Sequence, residues 1–388
     1  MKSEINVWWG LKNMKHISLM IKPASSLCNL RCKYCFYADV SDQREVKSFG
    51  LMNVETANKM VENVWIDLKT GDEMTFAFQG GEPTLAGLEF FETFIQIVKE
   101  TCENENKNVS IHYALQTNGI LLDSAWCQFL KQNNFLVGLS LDGPADFHDE
   151  NRVDECGKGT FSRVIQAKQK LEKYKIQYNV LWVLTNHHAR YPKKVWNFLS
   201  DNEIDFVQFI PCLANLNEES DSLFALDPNR FASFYTQLLD FWKRDFQKGK
   251  YRSIKFFDDI FNLILKHQIT ACGITGQCQA QFIVEADGSV YPCDFYVLDE
   301  WKSGNLKENT VTEVLNNTKT QAFLSRPRQS PRICTICKWE KICGGGCPRM
   351  ATSMYVNKVG DYCGYRQFLD ENAEILEKIA RDIQNRTL

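Results

Sequence analysis

His16-Ile17-Ser18-Leu19-Met20-Ile21-Lys22 runs through Pro23-Ala24-Ser25-Ser26-Leu27 into Cys28-Asn29-Leu30-Arg31-Cys32-Lys33-Tyr34-Cys35. A short β-rich run therefore delivers three cysteines, spaced C-x3-C-x2-C, onto one loop. Three thiolates on such a loop can hold three irons of a [4Fe–4S] cube. The fourth iron is left without a protein ligand, and an open position is what a cluster needs to bind and reduce a substrate. The rival on spacing alone is a zinc site that recruits its fourth ligand from a distance.

Outward from this loop the pattern alternates. Short β-rich runs occur at 16–22, 75–79, 111–117, 135–141, 178–185 and 206–211. Helix-length segments lie between and after them, at about 54–69, 87–105, 123–133, 161–174, 190–202 and 228–248. Asn53, Asp123 and Thr160 stand where they can cap three of the helices. Six strands alternating with helices imply a mostly parallel sheet with right-handed crossovers. Their near-continuous apolar character predicts burial on both faces. No G-x-G-x-x-G follows the first strand, so an α/β partial (β/α)6 TIM-like barrel fits better than a dinucleotide-binding sheet. The distinctive residues sit at the C-terminal ends of the strands, where such a barrel carries its active face. They are Cys28 to Cys35, Gly80-Gly81-Glu82-Pro83, Thr117-Asn118-Gly119 and Ser140 to Pro144.

After about residue 270 the texture changes. Eight of the fifteen cysteines fall between 272 and 363, and Glu285-Ala286-Asp287-Gly288-Ser289 signals a hairpin. The expected organisation is a barrel over 1–250, a small Cys-rich unit over 251–365 held by metal rather than by a large core, and a C-terminal helix over 366–388. A pair of zinc ribbons is the plain reading of the second unit. Cys102, Cys127, Cys156 and Cys212 occur singly and read as buried structural thiols. His112, His148, His187 and His188 follow no ligand spacing and read as structural or surface residues.

Over 388 residues the net charge is -3 and 44% of residues are apolar. That is an ordinary globular composition, with no electrostatic footprint for nucleic acid or an anionic membrane. The N-terminal 23 residues carry charges throughout and lack a signal-peptide core, and nothing approaches the roughly 18–20 apolar residues of a membrane span. The expectation is a cytoplasmic protein, a reducing setting in which clustered cysteines read as metal ligands rather than disulfides.

The first cysteine loop, with aromatic Tyr34 before its third thiol, and Gly80-Gly81-Glu82-Pro83 together resemble the radical S-adenosylmethionine (SAM) superfamily. The resemblance implies that the cluster on Cys28, Cys32 and Cys35 binds SAM at its unique iron and cleaves it to a 5′-deoxyadenosyl radical. It also implies that the 80–83 backbone and Glu82 meet the SAM amino group, the glycines permitting close approach. Cys334-x2-Cys337-x5-Cys343-x3-Cys347 followed by Cys363, with Cys272, Cys278 and Gly288-x4-Cys293 upstream, resembles the SPASM domain and its two auxiliary [4Fe–4S] clusters. By that match Cys272, Cys278, Cys293 and Cys347 hold the nearer auxiliary cluster, and Cys334, Cys337, Cys343 and Cys363 the farther one. Three [4Fe–4S] clusters and SAM are the implied cofactors, and full ligation of the auxiliary pair implies electron transfer.

Closer still, Ile21 to Ser26, Cys35-Phe36-Tyr37, Phe78 to Thr84, Leu115 to Gly119, Val137 to Pro144 and Val290 to Phe295 are similar to the anaerobic sulfatase-maturating enzymes, from about residue 16 to 370. Those enzymes oxidise one Cys or Ser of a nascent sulfatase, in a C/S-x-P/A-x-R motif, to Cα-formylglycine. The resemblance implies Asp294 as the catalytic base beside Cys293, and Gln79, Ser140, Arg152 and Leu213 as SAM contacts. For Arg152 a surface ion pair is the ordinary alternative. Tyr37 matches a residue near the active site. The implied partners are an unfolded or nascent sulfatase chain and a reductant such as flavodoxin or ferredoxin. Two other readings stay open: a SPASM maturase that cross-links a ribosomally made peptide, for which the 27 residues before Cys28 are too few to form a leader-binding domain, and a non-catalytic zinc scaffold.

Overall fold

All six strand runs form strands, and all six are neighbours. A computed structural model of the protein describes residues 15–216, 222–268, 271–327 and 331–387; the charged stretch 1–14 read above lies outside them. The strands are β1 (His16–Ile21), β2 (Glu73–Phe78), β3 (Ser110–Thr117), β4 (Leu136–Ser140), β5 (Tyr178–Leu184) and β6 (Phe206–Pro211). They pair in parallel in sequence order. The connecting helices are α1 (Phe36–Asp42), α2 (Val54–Asp67), α3 (Leu88–Glu105), α4 (Ser124–Gln132), α5 (Ala145–Asn151), α6 (Phe161–Lys173) and α7 (Pro192–Asp201), with α8 (Pro228–Gln247) and α9 (Lys255–Lys266) following β6. No helix is long and apolar enough to cross a membrane among the described residues.

Composition predicts burial on both faces, and β5, with Val180, Leu181 and Trp182 all buried, comes nearest to it, but β1, β2 and β6 do not. In β1 Ile17, Leu19 and Ile21 are buried while His16 and Ser18 are exposed; β2 and β6 alternate in the same way. The barrel is open, so one face packs under the helices and the other lines its interior. Phe76 lies 5.1 Å from Phe94 and Phe78 lies 4.8 Å from Phe91, which ties β2 to α3. Truncating such a ring to alanine costs roughly 3–5 kcal/mol.

Two of the three expected caps form. Asn53 Oδ1 accepts from Thr56 N–H at 2.7 Å, and Asp123 Oδ1 from Trp126 N–H at 2.9 Å. Thr160 does not cap α6: its backbone, at φ −118° and ψ −1°, is not the extended one of a capping residue, and its hydroxyl donates instead to the Arg152 carbonyl at 2.9 Å.

The sheet and the core run across the 250/251 division. β7 (Ser253–Ile254) extends the sheet beyond β6, while β8 (Ile283–Val284), β9 (Ser289–Tyr291) and β10 (Gly304–Asn305) extend it beyond β1, giving the order β10-β9-β8-β1-β2-β3-β4-β5-β6-β7. The Glu285–Ser289 turn closes a β8–β9 hairpin, with Gly288 at φ +88°, a conformation glycine adopts freely. The C-terminal helix, Gly364–Thr387, packs on α8 and α9 through Phe368, 5.3 Å from Phe256 and 6.3 Å from Tyr235. One hydrophobic cluster runs from Ile17 to Ala380.

Candidate active site

The three-thiol loop hangs between the ends of β1, β2 and β4. Gly81 N–H donates to Ser25 O at 2.8 Å and Glu82 N–H to Leu27 O at 2.7 Å; Arg31 N–H donates to Val153 O at 2.7 Å and Lys33 N–H to Asn151 O at 3.1 Å. A Cβ on Gly81 would meet Leu27 O at 1.9 Å, so only glycine lets the two loops approach. Burial pushes the Cys28 thiol up to about 11 and Cys32 to about 12, and Cys35 adds to both. Thiols gathered in this way lose their protons to a metal centre. A zinc ion with sulfurs at about 2.3 Å would bring them to within about 3.8 Å of one another. Among the described residues no three thiols have sulfurs all within 4.8 Å of one another.

The Glu82 side chain is held by donors within the protein. It is buried, and its two oxygens accept from Thr84 N–H (3.1 Å), Thr84 Oγ1 (2.7 Å), Thr117 Oγ1 (2.7 Å) and Asn118 N–H (2.7 Å). Four internal donors leave the carboxylate as a lock between the β2 and β3 turns. Asn118, so placed, donates to Asn29 Oδ1 at 2.8 Å inside the cysteine loop.

Arg152 is not in a surface pair either. Its Nε donates to Asp142 Oδ2 at 2.9 Å and a second guanidinium nitrogen to Oδ1 at 3.2 Å, with both residues buried. Asp142 also accepts from Val183 N–H at 2.9 Å and from the Tyr34 hydroxyl. Burial pushes the Asp142 carboxyl up, but Arg152 and His148 outweigh it and hold it below the usual range. His148 is fully buried. Its Nδ1 accepts from Asp142 N–H at 3.3 Å, and its Nε2 lies 3.0 Å from Thr160 Oγ1, whose own proton goes to Arg152 O. One tautomer, with the proton on Nε2, satisfies both contacts.

Asp294 lies just past β9, on the opposite side of β1. It is 7% exposed. Lys22 Nζ lies 2.7 Å from its Oδ1, and Gln79 Nε2 donates to its Oδ2 at 2.8 Å. One Gln79 N–H is thus engaged by Asp294, while the Oε1 acceptor carries no bond to it. Lys22 is 1% exposed and sits 3.8 Å from the Tyr37 ring centroid. The Tyr37 hydroxyl donates to Glu285, which Arg44 meets at 2.6 Å. Two buried carboxylates thus each have a buried cation, as charges in an interior require.

Ser140 ends β4 and Leu213 follows β6; both are buried at the barrel mouth. Asn118 stands among the strand-end residues named from sequence, whereas the contacts of Lys22, Asp142, Arg44 and Glu285 are not legible there. A polar residue at the end of an apolar strand, as Lys22 and Asp142 are, was the available signal. Among the single cysteines, Cys127 and Cys212 are buried as expected, Cys102 is partly buried, and Cys156 is exposed. Cys156 lies in the Asp154–Gly157 turn, where Gly157 N–H reaches back to Asp154 O and no helix covers it.

The eight C-terminal thiols sort into two sets. Burial pushes Cys272 and Cys363 up to about 11 and raises Cys293, Cys334, Cys343 and Cys347. The thiols that add to this effect are neighbours: Cys347 and Cys278 act on Cys272, and Cys347 and Cys272 on Cys293. Likewise Cys337 acts on Cys334, Cys337 and Cys334 on Cys343, and those three on Cys363. Cys334, Cys337, Cys343 and Cys363 line one cavity with Trp339, Tyr355 and Tyr365.

Comparison with known proteins agrees with this geometry. Residues 23–198 match the radical SAM superfamily, and residues 272–338 match SPASM, an iron–sulfur cluster-binding domain. A cysteine-type anaerobic sulfatase-maturating enzyme of Clostridium perfringens is 43% identical over 375 residues, covering 96% of this chain and 100% of that protein. Native anSMEcpe with bound AdoMet superimposes with a TM-score of 0.86 at 42% identity, over 94% of this chain and 99% of the other. Native anSMEcpe with AdoMet and the Cp18Cys peptide gives 0.85 at 41% identity, over 95% and 99%. This chain belongs to the anaerobic sulfatase-maturating enzymes of the radical SAM superfamily.

Proposed function

We propose that the protein oxidises a cysteine of an unfolded or nascent sulfatase, within a C/S-x-P/A-x-R motif, to Cα-formylglycine. The observation that carries this reading is Asp294, a buried carboxylate held by Lys22 and Gln79 and joined through the backbone to Cys293. A base one residue from a cluster ligand places proton removal beside electron removal, as a two-electron oxidation of a thiol carbon demands. The cysteine-type relatives support the choice of cysteine as target.

Cys28, Cys32 and Cys35 would hold the SAM-cleaving cluster. Cys272, Cys278, Cys293 and Cys347 would hold one auxiliary cluster, and Cys334, Cys337, Cys343 and Cys363 the other. With SAM bound, the first cluster supplies the 5′-deoxyadenosyl radical that takes a hydrogen atom from the target Cβ. The backbone of residues 80–82, Ser140, Leu213 and Arg152, whose guanidinium Asp142 orients, would seat SAM. Asp294 takes the proton of the target thiol, within the reach general-base chemistry requires. Lys22 balances its charge, and Gln79 fixes the plane of its carboxylate. The second electron would pass to the auxiliary cluster that Cys293 would help hold; the thioaldehyde left behind would react with water to give the aldehyde and hydrogen sulfide. We place the reaction in the cytoplasm, with flavodoxin or ferredoxin as reductant.

The test uses anaerobically reconstituted, reduced protein with SAM and a peptide containing Cys-x-Pro-x-Arg, followed by mass spectrometry. The expected result is a peptide aldehyde formed together with 5′-deoxyadenosine. Asp294→Asn should keep 5′-deoxyadenosine formation and lose the aldehyde by about 10²-fold or more. An Asp294→Asn protein that makes aldehyde at the normal rate would remove the base assignment.

A further inference from the structure

Glu150 in α5 and the adjacent His187 and His188, after β5, meet at the rim of the barrel mouth. A carboxylate oxygen of Glu150 and a ring nitrogen from each histidine all lie within 4.8 Å of one another, the one such group of three among the described residues. His187 Nδ1 is 2.8 Å from Glu150 Oε2. His188 is fully buried, its ring stacked 4.6 Å from Phe147. Its Nδ1 lies 3.3 Å from Val183 O and 3.2 Å from Trp182 Nε1, while its Nε2 has no partner. A buried imidazole nitrogen without a partner is a cost the fold carries for some reason. Trp182 Nε1–H donates to Nδ1, which places the ring proton on Nε2; a metal bound at Nε2 would shift that proton to Nδ1, to donate to Val183 O at the cost of the Trp182 bond, the arrangement of a metal-ligating histidine backed by a carbonyl.

We propose that Glu150, His187 and His188 bind a divalent first-row transition-metal ion, separate from the iron–sulfur centres. Two imidazoles and one carboxylate suit zinc or iron(II) and leave positions for water. Ligand atoms around such an ion stand about 3.4 Å apart when bonds are about 2.0–2.1 Å. The present spread closes by small rotations of the two outer side chains, which are 44% exposed in His187 and 38% in Glu150, onto the fixed His188. Lys194, the nearby cation, is paired with Asp146 and lies over the Phe147 ring at 4.3 Å. The ion would pin the segment after β5 to α5. That helix ends at Arg152, the partner of Asp142, so the clamp braces one wall of the SAM site. The inference does not depend on the sulfatase reading.

The experiment compares reconstituted holoenzyme with its His187→Gln and Glu150→Gln forms. Both substitutions sit on half-exposed side chains and leave the buried His188 in place. Each protein is mixed anaerobically with zinc chloride in small excess and desalted, and zinc and iron are counted by mass spectrometry. Zinc affinity is measured by calorimetry. At equal iron content the wild type should retain one more zinc per chain than either variant, and the variants should bind zinc at least about tenfold more weakly. Equal zinc content and affinity in all three proteins would overturn the site.

Discussion

The loop at Cys28–Cys35 and the region 272–363 both gather thiols, but the polypeptide grips them differently. Main-chain bonds from residues 81, 82, 151 and 153 fasten the first loop, and Asn118 fastens its Asn29. Glu82 is saturated by four donors beneath it. Those bonds fix the path of that loop from within the protein. Most of the eight later thiols ride on or beside four-residue helical turns, Cys272–Thr275, Arg332–Thr335 and Glu340–Cys343, whose bonds are largely local, such as Cys337 N–H to Cys334 O. A few cross-links, such as Cys347 N–H to Gly273 O, join them. The shared core reaches these turns through Cys334, Cys343 and Tyr355, and metal centres would tie the remaining thiols to it, so that ligand binding would add to their stability. The lesson is that one protein can use the same ligand type on a preorganised loop for reactivity and on a loose scaffold for stability.

The largest effect expected from this contrast is between Cys32→Ala and Cys343→Ala. Cys32→Ala should reduce 5′-deoxyadenosine to background while leaving the thermal midpoint almost unmoved. Cys343→Ala should lower the midpoint by several degrees and speed amide exchange across 331–363, read by mass spectrometry. Equal loss of stability in the two proteins would break the comparison.

Next is Lys22→Met. It strands the Asp294 carboxylate in the interior, at a cost of about 3–5 kcal/mol. Aldehyde formation should fall far more than SAM cleavage, and denaturant titration should record the lost stability. A proportional fall in both products would place Lys22 with SAM rather than with Asp294.

A smaller effect is set by pH. Burial pushes the His148 imidazole down to about 4, against an ordinary value near 6.5. Between those values the unfolded chain binds a proton that the native chain refuses, so stability rises with pH over that window and levels off above it. The slope contributed is at most about 1.4 kcal/mol per pH unit. The difference in denaturation midpoint between wild type and His148→Gln should therefore vary with pH between about 4 and 6.5 and stay constant above that. The smallest effect belongs to Asn53→Ala, which removes the α2 cap for about 1 kcal/mol and should leave 5′-deoxyadenosine formation unchanged.

Much of the architecture was legible because its signals are local. The strands, the helices between them, the Glu285–Ser289 turn and the cysteine spacings each depend on neighbours in sequence. The site was legible as a list of residues but less so as a set of contacts. Gln79 and Glu82 read as groups facing a ligand, yet one Gln79 N–H goes to Asp294 and the Glu82 carboxylate accepts four protein donors. Arg152 read as a free fork with a surface pair as its alternative, yet it is locked to a buried aspartate. Arg152 meets its aspartate across only 10 positions, but other partners lie far along the chain: Gln79 meets Asp294 across 215 positions, and Arg44 meets Glu285 across 241. No periodicity carries such a pairing.

The sequence by itself determined the strand–helix alternation, the three cysteine sets and the family, because apolar period and ligand spacing are written in consecutive residues. Only the tertiary structure decided that β8 joins the edge of β1. That junction brings Asp294 to Lys22 and Gln79, and Glu285 to Tyr37 and Arg44. The physical reason is that a buried charge must find its counter-charge wherever folding brings one within a few ångströms, and that distance has no image in the order of residues.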